Sequence, residues 1–392
     1  MPPVSRTPQG VRLTAVRGAY AGPVQRPVTP PGPGSTTEEV VRAARRALDG
    51  AGVVLTTSGS TGHPKSVALS ATALRASAEA TAQRVGGHGH WLLALPPDHV
   101  AGWQVVARSV VAGTVPARAE GPFTVEGFVA AADRLAPDGP RLVSLVPTQL
   151  LRLIEDPRGT AALSGFSAVL VGGAALPAPL GQRAEAAGVR LHRTYGMTET
   201  SGGCVYDGTP LDGVGVRLEE GRVHLGGPVL ADGYVGDPAL TADRFTSDGA
   251  GRRWFRTDDV GELSGDGTLR LLGRADDMIN TGGFKVAPRP LEDALGRLPG
   301  VREVLVLGVP DPEWGERVAA VLVGEQSAHD LRDVGAVRDR LRDTLPAHAL
   351  PRQVVWLTAL PMLASGKPDR VALRAMCAGG SGTMDPHRDS AQ

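Results

Sequence analysis

Short apolar runs separated by longer amphipathic stretches organise this chain. Strand-like runs fall at 52–57, 91–95, 142–146, 168–171 and 190–195. Between them, apolar positions recur at the three- and four-residue spacing of helices near 70–85, 101–112, 124–135, 148–155 and 177–187. Strands alternating with helices in this way predict an α/β layer architecture. Ahead of the series, Pro27 to Gly34 is rich in Pro and Gly and reads as loop. Ser35-Thr36-Thr37-Glu38 has the spacing of a capping box and opens a helix to about Leu48.

The pattern changes between about 203 and 272, where short strands meet Gly turns. Val214 to Leu218, a Glu219-Glu220-Gly221 turn and Arg222 to Leu225 read as a hairpin, so this part is a small β-subdomain. Beyond Leu269 to Arg274 comes a compact unit. It has a helix at 288–297, strands at 302–308 and 317–323, a helix at 329–344 and a strand at 353–357. The expected organisation is a large domain over 1–273, with α/β layers and the β-subdomain, followed by a small α+β domain over 274–377. Residues 378–392 are rich in Gly, Ser and Asp and are expected to form a disordered tail. No internal repeat is visible.

Composition narrows the function. The 392 residues can fill two or three domains, and 41 basic residues balance 41 acidic ones. That balance gives no footprint for nucleic acid or an acidic membrane surface. Two cysteines, Cys204 and Cys377, argue against a disulfide framework and fit a reducing cytoplasm. No run of about 18 apolar residues occurs, and the N-terminus lacks an apolar signal core.

The densest chemistry lies between Thr57 and Lys65. Those nine residues hold two glycines, Gly59 and Gly62, four hydroxyls, on Thr57, Ser58, Ser60 and Thr61, and one lysine. Glycine lets backbone N–H groups turn inward, and the hydroxyls and ammonium add donors around one small space, which suits a polyphosphate. A Walker loop needs Gly before its Lys, and Pro64 stands there, so a P-loop motor or GTPase is excluded.

Four more segments follow in order. Tyr195-Gly196-Met197-Thr198-Glu199-Thr200 is fed by a strand. Thr198 can donate to a phosphate, Glu199 can hold Mg²⁺, and Tyr195 can stack on a base, although alone the run reads equally as a turn and helix cap. Trp254 to Asp259 ends in two carboxylates that could accept ribose hydroxyls or simply form a solvated turn. Leu272 to Lys285 spans the domain boundary, and Ser365-Gly366-Lys367-Pro368 places a lysine in a Gly turn.

Together and in this order, these segments resemble the adenylate-forming superfamily of acyl- and aryl-CoA ligases, adenylation domains and luciferases, over roughly residues 52–374. The resemblance implies that a carboxylic acid is joined to ATP, giving an acyl-adenylate and pyrophosphate, and that the acyl group then passes to a thiol. ATP, Mg²⁺ and CoA are the implied cofactor and co-substrates, and a small domain that rotates between the half-reactions is implied with them. Thr57 to Lys65 would cover the β- and γ-phosphates. Gly173, Tyr195, Gly196, Met197 and Thr198 would complete the nucleotide site, with Glu199 on the metal. Asp259 and Arg274 would bind ribose, Asp276 would be the hinge, and Gly282 and Gly283 would line the thiol tunnel. Lys367 would contact the carboxylate and α-phosphate during adenylation. The ribose motif usually reads Thr-Gly-Asp; here it reads Thr257-Asp258-Asp259, which puts the local backbone turn in question.

The acid itself is read from Leu95 to Trp103 and beyond. His99 follows a strand end and opens a helix that carries Arg108. His99 reads as a pocket wall or a helix cap. Arg108 reads as a clamp for a second carboxylate or a surface ion pair. Trp91 to Pro96, His99 to Arg108, Leu170 to Gly173 and Thr194 to Gly208 resemble the o-succinylbenzoate–CoA ligases of menaquinone biosynthesis in their short actinobacterial form. That resemblance places Gly172, Ser201, Gly202 and Gly203 at an aromatic acid, where small residues leave room for a flat ring. Cys204 either touches the acid or packs, and packing is the simpler reading. Another aryl or acyl acid, or a carrier-protein thiol, stays open. So does a non-catalytic binding protein on the same fold, against which the intact Glu199, Asp259, Arg274 and Lys367 argue. The region ahead of Val53 is short for the superfamily, and a homodimer contact is one way to cover that side.

Overall fold

A computed structural model of the chain describes residues 26–32, 34–57, 64–325, 330–362 and 368–379. The large domain opens with helix α1 (Thr37–Arg46). Its capping box is Thr36 with Glu39, one residue later than expected. The Ser35 hydroxyl donates instead to Gly32 O at 2.8 Å. Strands β1 (Val53–Thr57) and β2 (Lys65–Leu69) then pair antiparallel, Thr57 opposite Lys65. The phosphate-loop segment is therefore the connection of a β-hairpin.

Helix α2 (Ala71–Val85) leads into the alternating series: β3 (His90–Leu93), α3 (Val100–Val111), β4 (Ala117–Arg118), α4 (Val125–Asp133) and β5 (Arg141–Leu145). It continues through α5 (Pro147–Glu155), α6 (Pro157–Ser164), β6 (Ala168–Val171), α7 (Ala178–Ala186) and β7 (Leu191–Met197). Prolines at the first positions of α5 and α6 lack the N–H that a helix start leaves unpaired anyway, and Gly86 in the left-handed region ends α2. Strands β4, β3, β5, β6 and β7 lie parallel, and β8 (Gly202–Tyr206) and β9 (Thr209–Pro210) extend the sheet antiparallel. All four residues of β6 are buried, because helices cover both faces of a parallel sheet. One apolar cluster, with Trp103 and Leu93, packs under α1 to α3; another, with Phe128 and Phe166, fills the opposite face.

The β-subdomain follows. It contains β10 (Gly215–Glu219), β11 (Arg222–Gly226), β12 (Gly233–Tyr234), α8 (Pro238–Arg244), β13 (Phe245–Ser247), β14 (Arg253–Leu263) and β15 (Leu269–Arg274). The expected hairpin is β10–β11, and its turn puts Glu220 and Gly221 in the left-handed region. Strand β12 crosses back to pair with β2.

In the small domain come β16 (Ile279–Thr281), β17 (Phe284–Val286), α9 (Pro288–Leu295), β18 (Val301–Asp311), β19 (Gly315–Gly324), α10 (Val334–Leu341), β20 (Gln353–Leu357) and α11 (Arg370–Gly379). Separate apolar clusters cover the two faces of its sheet. Helix α10 starts later than the expected 329, where the Asp333 side chain accepts from Ala336 N at 2.8 Å and caps it. Ala378 and Gly379, expected in the tail, belong to α11; residues 380–392 lie outside the described residues. The molecule is thus α/β in its large domain and α+β in its small one. No described helix is long and apolar enough to cross a membrane.

Candidate active site

His99, Gly172, Gly173 and the Tyr195 to Glu199 run lie at or just beyond the carboxyl ends of β3, β6 and β7, where open α/β sheets bind ligands, whereas Thr57 and Lys65 lie on β1 and β2, Asp259 and Arg274 on β14 and β15, and Arg108 near the far end of α3. Close backbone packing shapes this edge. A Cβ on Gly172 would stand 2.3 Å from Thr194 Oγ1, and one on Gly196 would stand 2.1 Å from Gly202 O. Only glycine fits at either position, so the turn after β7 folds flat against β8.

Glu199 lies in the single turn Thr198–Thr200 that follows β7. Thr200 Oγ1 accepts from Met197 N at 2.9 Å and reaches Gly202 O at 2.8 Å, which closes the turn. Glu199 Oε1 accepts from Tyr234 Oη at 2.8 Å, and Glu199 O accepts from Ala231 N at 2.8 Å. Tyr234 belongs to β12, so it links this carboxylate to β2, the strand that leaves the phosphate loop. Lys65 Nζ lies 5.8 Å from the centre of the Tyr234 ring. Glu199 can offer its second oxygen to a hard divalent ion. Among the described residues no group of three or more metal-ligating side chains converges, so such an ion would complete its shell from phosphate and water, as magnesium does. Ser58, Gly59, Ser60, Thr61 and Gly62 lie outside the described residues.

On the ribose side, β14 bulges. Arg222 and His224 of β11 face Val260 and Arg256, so two steps on one strand oppose four on the other and Thr257 to Asp259 bow out. Asp259 N donates to Thr257 Oγ1 at 3.0 Å, and that hydroxyl donates to Val223 O at 2.8 Å. Asp259 pairs with Arg274 across β14 and β15, and its Oδ2 accepts from Tyr195 Oη at 2.7 Å. Burial pushes the Asp259 carboxyl above its ordinary range, while Tyr195 and Arg274 oppose the shift. Burial, then the neighbouring carboxylate, pushes the Tyr195 phenol well above its ordinary value.

Asp258, at the position where the ribose motif was expected to read Gly, needs no unusual backbone: it sits in the strand, and no residue of β14 has positive φ. Its Oδ1 lies 2.6 Å from Arg244 Nη1 and 3.3 Å from Arg222 Nη1, and its Oδ2 lies 3.6 Å from Arg274 Nη2. Burial raises its pKa, but the three guanidinium groups outweigh burial and hold the carboxyl below its ordinary value.

The acid side is built on α3. Positions 100, 104 and 108 share one helix face. A Cβ on Gly202 would meet Gln104 Cγ at 3.5 Å and Val100 Cγ2 at 3.8 Å, so this face runs along β8. Arg108 lies further along it, 5% exposed, with its guanidinium 5.2 Å from the Trp91 ring centre and its Nη2 3.4 Å from Tyr206 Oη. Its Nε has no hydrogen-bond partner, and no carboxylate pairs with it among the described residues. Ser201, expected at the acid, is wholly buried in the left-handed turn before β8 and donates to Val229 O at 2.8 Å. Gln104 Nε2 and Ser77 Oγ both donate to its carbonyl. His99 is the exposed N-cap of α3 and makes no side-chain cap. Cys204 packs with Val205, Val223 and Leu225, and burial pushes its thiol up to about 12, so it packs and does not react.

Comparison with known families adds a match to the AMP-binding enzyme model over residues 20–236. The model for the C-terminal domain of such enzymes matches residues 290–367. The chain belongs to the AMP-binding enzyme family. It is 47% identical over 345 residues to the "Probable 2-succinylbenzoate--CoA ligase" of Mycobacterium tuberculosis, covering 86% of this chain and 88% of that one. It is 33% identical to the 2-succinylbenzoate--CoA ligase of Escherichia coli K12, covering 81% of this chain and 67% of that one. Among solved structures it resembles the o-succinylbenzoate CoA synthetase (MenE) of Bacillus subtilis in complex with its acyl-adenylate intermediate. That likeness has a TM-score of 0.68 and 26% identity, and covers 85% of this chain and 70% of that one.

In this AMP-binding enzyme the boundary between domains carries charge as well. Asp276 takes a two-pronged contact from Arg274, Nε to Oδ1 at 2.9 Å and Nη2 to Oδ2 at 3.1 Å. The expected hinge and a ribose candidate are therefore joined in one fork. Arg370, at the start of α11, lies 3.4 Å from Asp277, and Met362 forms an antiparallel bridge with Pro368. Lys367 itself lies outside the described residues. Gly282 donates from its N–H to Trp314 O at 2.9 Å, and Gly283 follows it in the turn before exposed Phe284. Two contributors escaped sequence reasoning, Tyr234 and Arg244. A Gly-Tyr pair in a Gly-rich stretch carries no periodic signal, and only the pairing of β12 with β2 brings Tyr234 to Glu199.

Proposed function

We propose that the chain is an AMP-forming ligase that joins 2-succinylbenzoate to CoA through an acyl-adenylate. The observation that carries the choice of acid is the 47% identity, over most of both chains, to a protein named for that reaction. Buried Arg108 supports the reading, because a cation without a carboxylate is costly to hold and a dicarboxylic substrate supplies one.

A carboxylate oxygen of the acid attacks the α-phosphorus of ATP, and pyrophosphate leaves with the electrons of the broken P–O bond. Two anions meet in this step, so the protein's task is positioning and charge. The ribose is held by Asp259 and Arg274, and the phosphates by Thr198, Lys65 and the loop over 57–65. Glu199 holds Mg²⁺, which neutralises phosphate charge when bound. Lys367 contacts the reacting carboxylate and α-phosphate. The thiol of CoA then attacks the acyl carbon and releases AMP. For that half-reaction the small domain turns about Asp276 and brings Gly282 and Gly283 to the thiol. The ring of the acid lies against Gly172, Gly202 and Gly203, and His99 stands at the entrance.

Acid-dependent exchange of labelled pyrophosphate into ATP tests this reading. A panel of 2-succinylbenzoate, benzoate, succinate and medium-chain fatty acids is expected to give exchange chiefly with the first. A different acid giving the highest kcat/KM would reassign the substrate, and no exchange with any acid would remove the adenylation reading.

A further inference from the structure

Of the four tyrosines in the chain, three lie among the described residues, and each hydroxyl meets a charged candidate of the site. Tyr234 reaches Glu199 and Tyr206 reaches Arg108, while Tyr195 reaches Asp259 at 2.7 Å. The sequence reading of Tyr195 used only its ring. Its hydroxyl does something separate: it joins β7, three residues before the turn that opens at Thr198, to the bulge of β14.

We propose that Tyr195 is a positioning residue for ribose recognition, its hydroxyl holding Oδ2 of Asp259 so that Oδ1 remains for the sugar hydroxyls. This rests on the adenylation reading above, in which Asp259 is the ribose ligand. The terminal torsion of an aspartate is broad, so a lone carboxylate samples many rotations. Two adjacent sugar hydroxyls need an acceptor held at one rotation. Thr257 fixes the backbone of Asp259, and Tyr195 supplies the second point that fixes the carboxylate plane. No hydrogen bond from a described residue reaches Oδ1. The same hydrogen bond favours the ionised, accepting form of Asp259 against its burial. Arg274, paired across the ladder, acts in the same sense.

The test is direct binding of ATP and of 2′,3′-dideoxy-ATP to the full chain by titration calorimetry, with thermal melting as a check on folding. In Tyr195→Phe the ring stays and only the hydroxyl goes. ATP affinity is expected to fall about tenfold, as for loss of a hydrogen bond to a charged group, while dideoxy-ATP affinity stays within about twofold. The acid limb of ATP binding should also move to higher pH, because Asp259 loses a donor to its charged form. Asp259→Asn should itself erase the preference for ATP over dideoxy-ATP, and adding Tyr195→Phe to it should change ATP affinity little further. Equal losses for both nucleotides, unchanged ATP affinity in Tyr195→Phe, or an Asp259→Asn variant that keeps the preference would overturn the proposal. A wild-type chain that binds neither nucleotide would overturn the adenylation reading along with it.

Discussion

The ribose side and the acid side of the site handle charge in opposite ways. At the ribose side every carboxylate has partners: Asp259 has Tyr195 and Arg274, and Asp258 has Arg222, Arg244 and Arg274. At the acid side Arg108 is buried against Trp91 and Tyr206, with an unpaired Nε and no carboxylate among the described residues. The first arrangement is organised without a ligand. The second leaves one cation for a ligand to complete, and a buried unpaired charge is worth several times a solvated one. On the proposed reading, the nucleotide side is organised before its ligand arrives, whereas the acid side leaves the charge of Arg108 for the substrate to meet.

Breaking the acid side should have the largest effect. On the proposed reading, Arg108→Met removes the clamp, and kcat/KM for 2-succinylbenzoate in pyrophosphate exchange should fall roughly 100- to 1,000-fold, as expected for a lost buried charge pair. ATP affinity should stay near wild type, and the melting temperature should hold or rise, since an apolar side chain replaces an uncompensated charge. A lowered melting temperature with unchanged kcat/KM would make Arg108 structural. Tyr234→Phe tests an intermediate case. Freed of its donor at 2.8 Å, Glu199 should bind divalent metal more weakly, and the Mg²⁺ concentration for half-maximal exchange should rise about tenfold. Metal titration followed by intrinsic tryptophan fluorescence gives a second readout, and no change in either would detach Tyr234 from Glu199's role.

The smallest effect concerns Asp258, and it sharpens the contrast because this residue is already satisfied. Its folded-state pKa is lowered, so its contribution is present above the ordinary aspartate value of about 3.9 and is lost as pH falls through the folded value. Asp258→Asn should destabilise the protein by about 1–3 kcal/mol at neutral pH. Urea titrations at pH 7 and near pH 3 should show the gap to wild type closing in acid. A gap that stays constant across that range would mean that the arginine contacts contribute nothing through charge.

Much of this architecture is legible in the amino-acid order, for a physical reason. The core strands β5 and β6 are short, mostly apolar and bounded by breaks, and the amphipathic helices between them repeat at a helical period. Local pattern decides such elements. The glycines at 172 and 196 could also be picked out, because close approach leaves no alternative there. Less legible are contacts that depend on pairing between distant strands. Tyr234 reaches Glu199 only because β12 returns to β2, and Asp258 looked like a lost glycine until Arg222, Arg244 and Arg274 came to it from two strands and a helix end. Ser201 shows the same limit on the acid side: local sequence does not reveal that its hydroxyl donates to Val229 O. The helix cap shifted by one residue because Ser35 and Thr36 both have an acidic residue three positions on, and local sequence cannot choose between them.

The central claim is that this chain activates a dicarboxylic aromatic acid and transfers it to a thiol. The most direct measurement is mass analysis of the products from purified protein with ATP, Mg²⁺, CoA and 2-succinylbenzoate. The account predicts the CoA thioester of the acid together with AMP and pyrophosphate in equal amounts, with no thioester when ATP is omitted. Active, folded protein that binds ATP yet yields no thioester from this acid would contradict it.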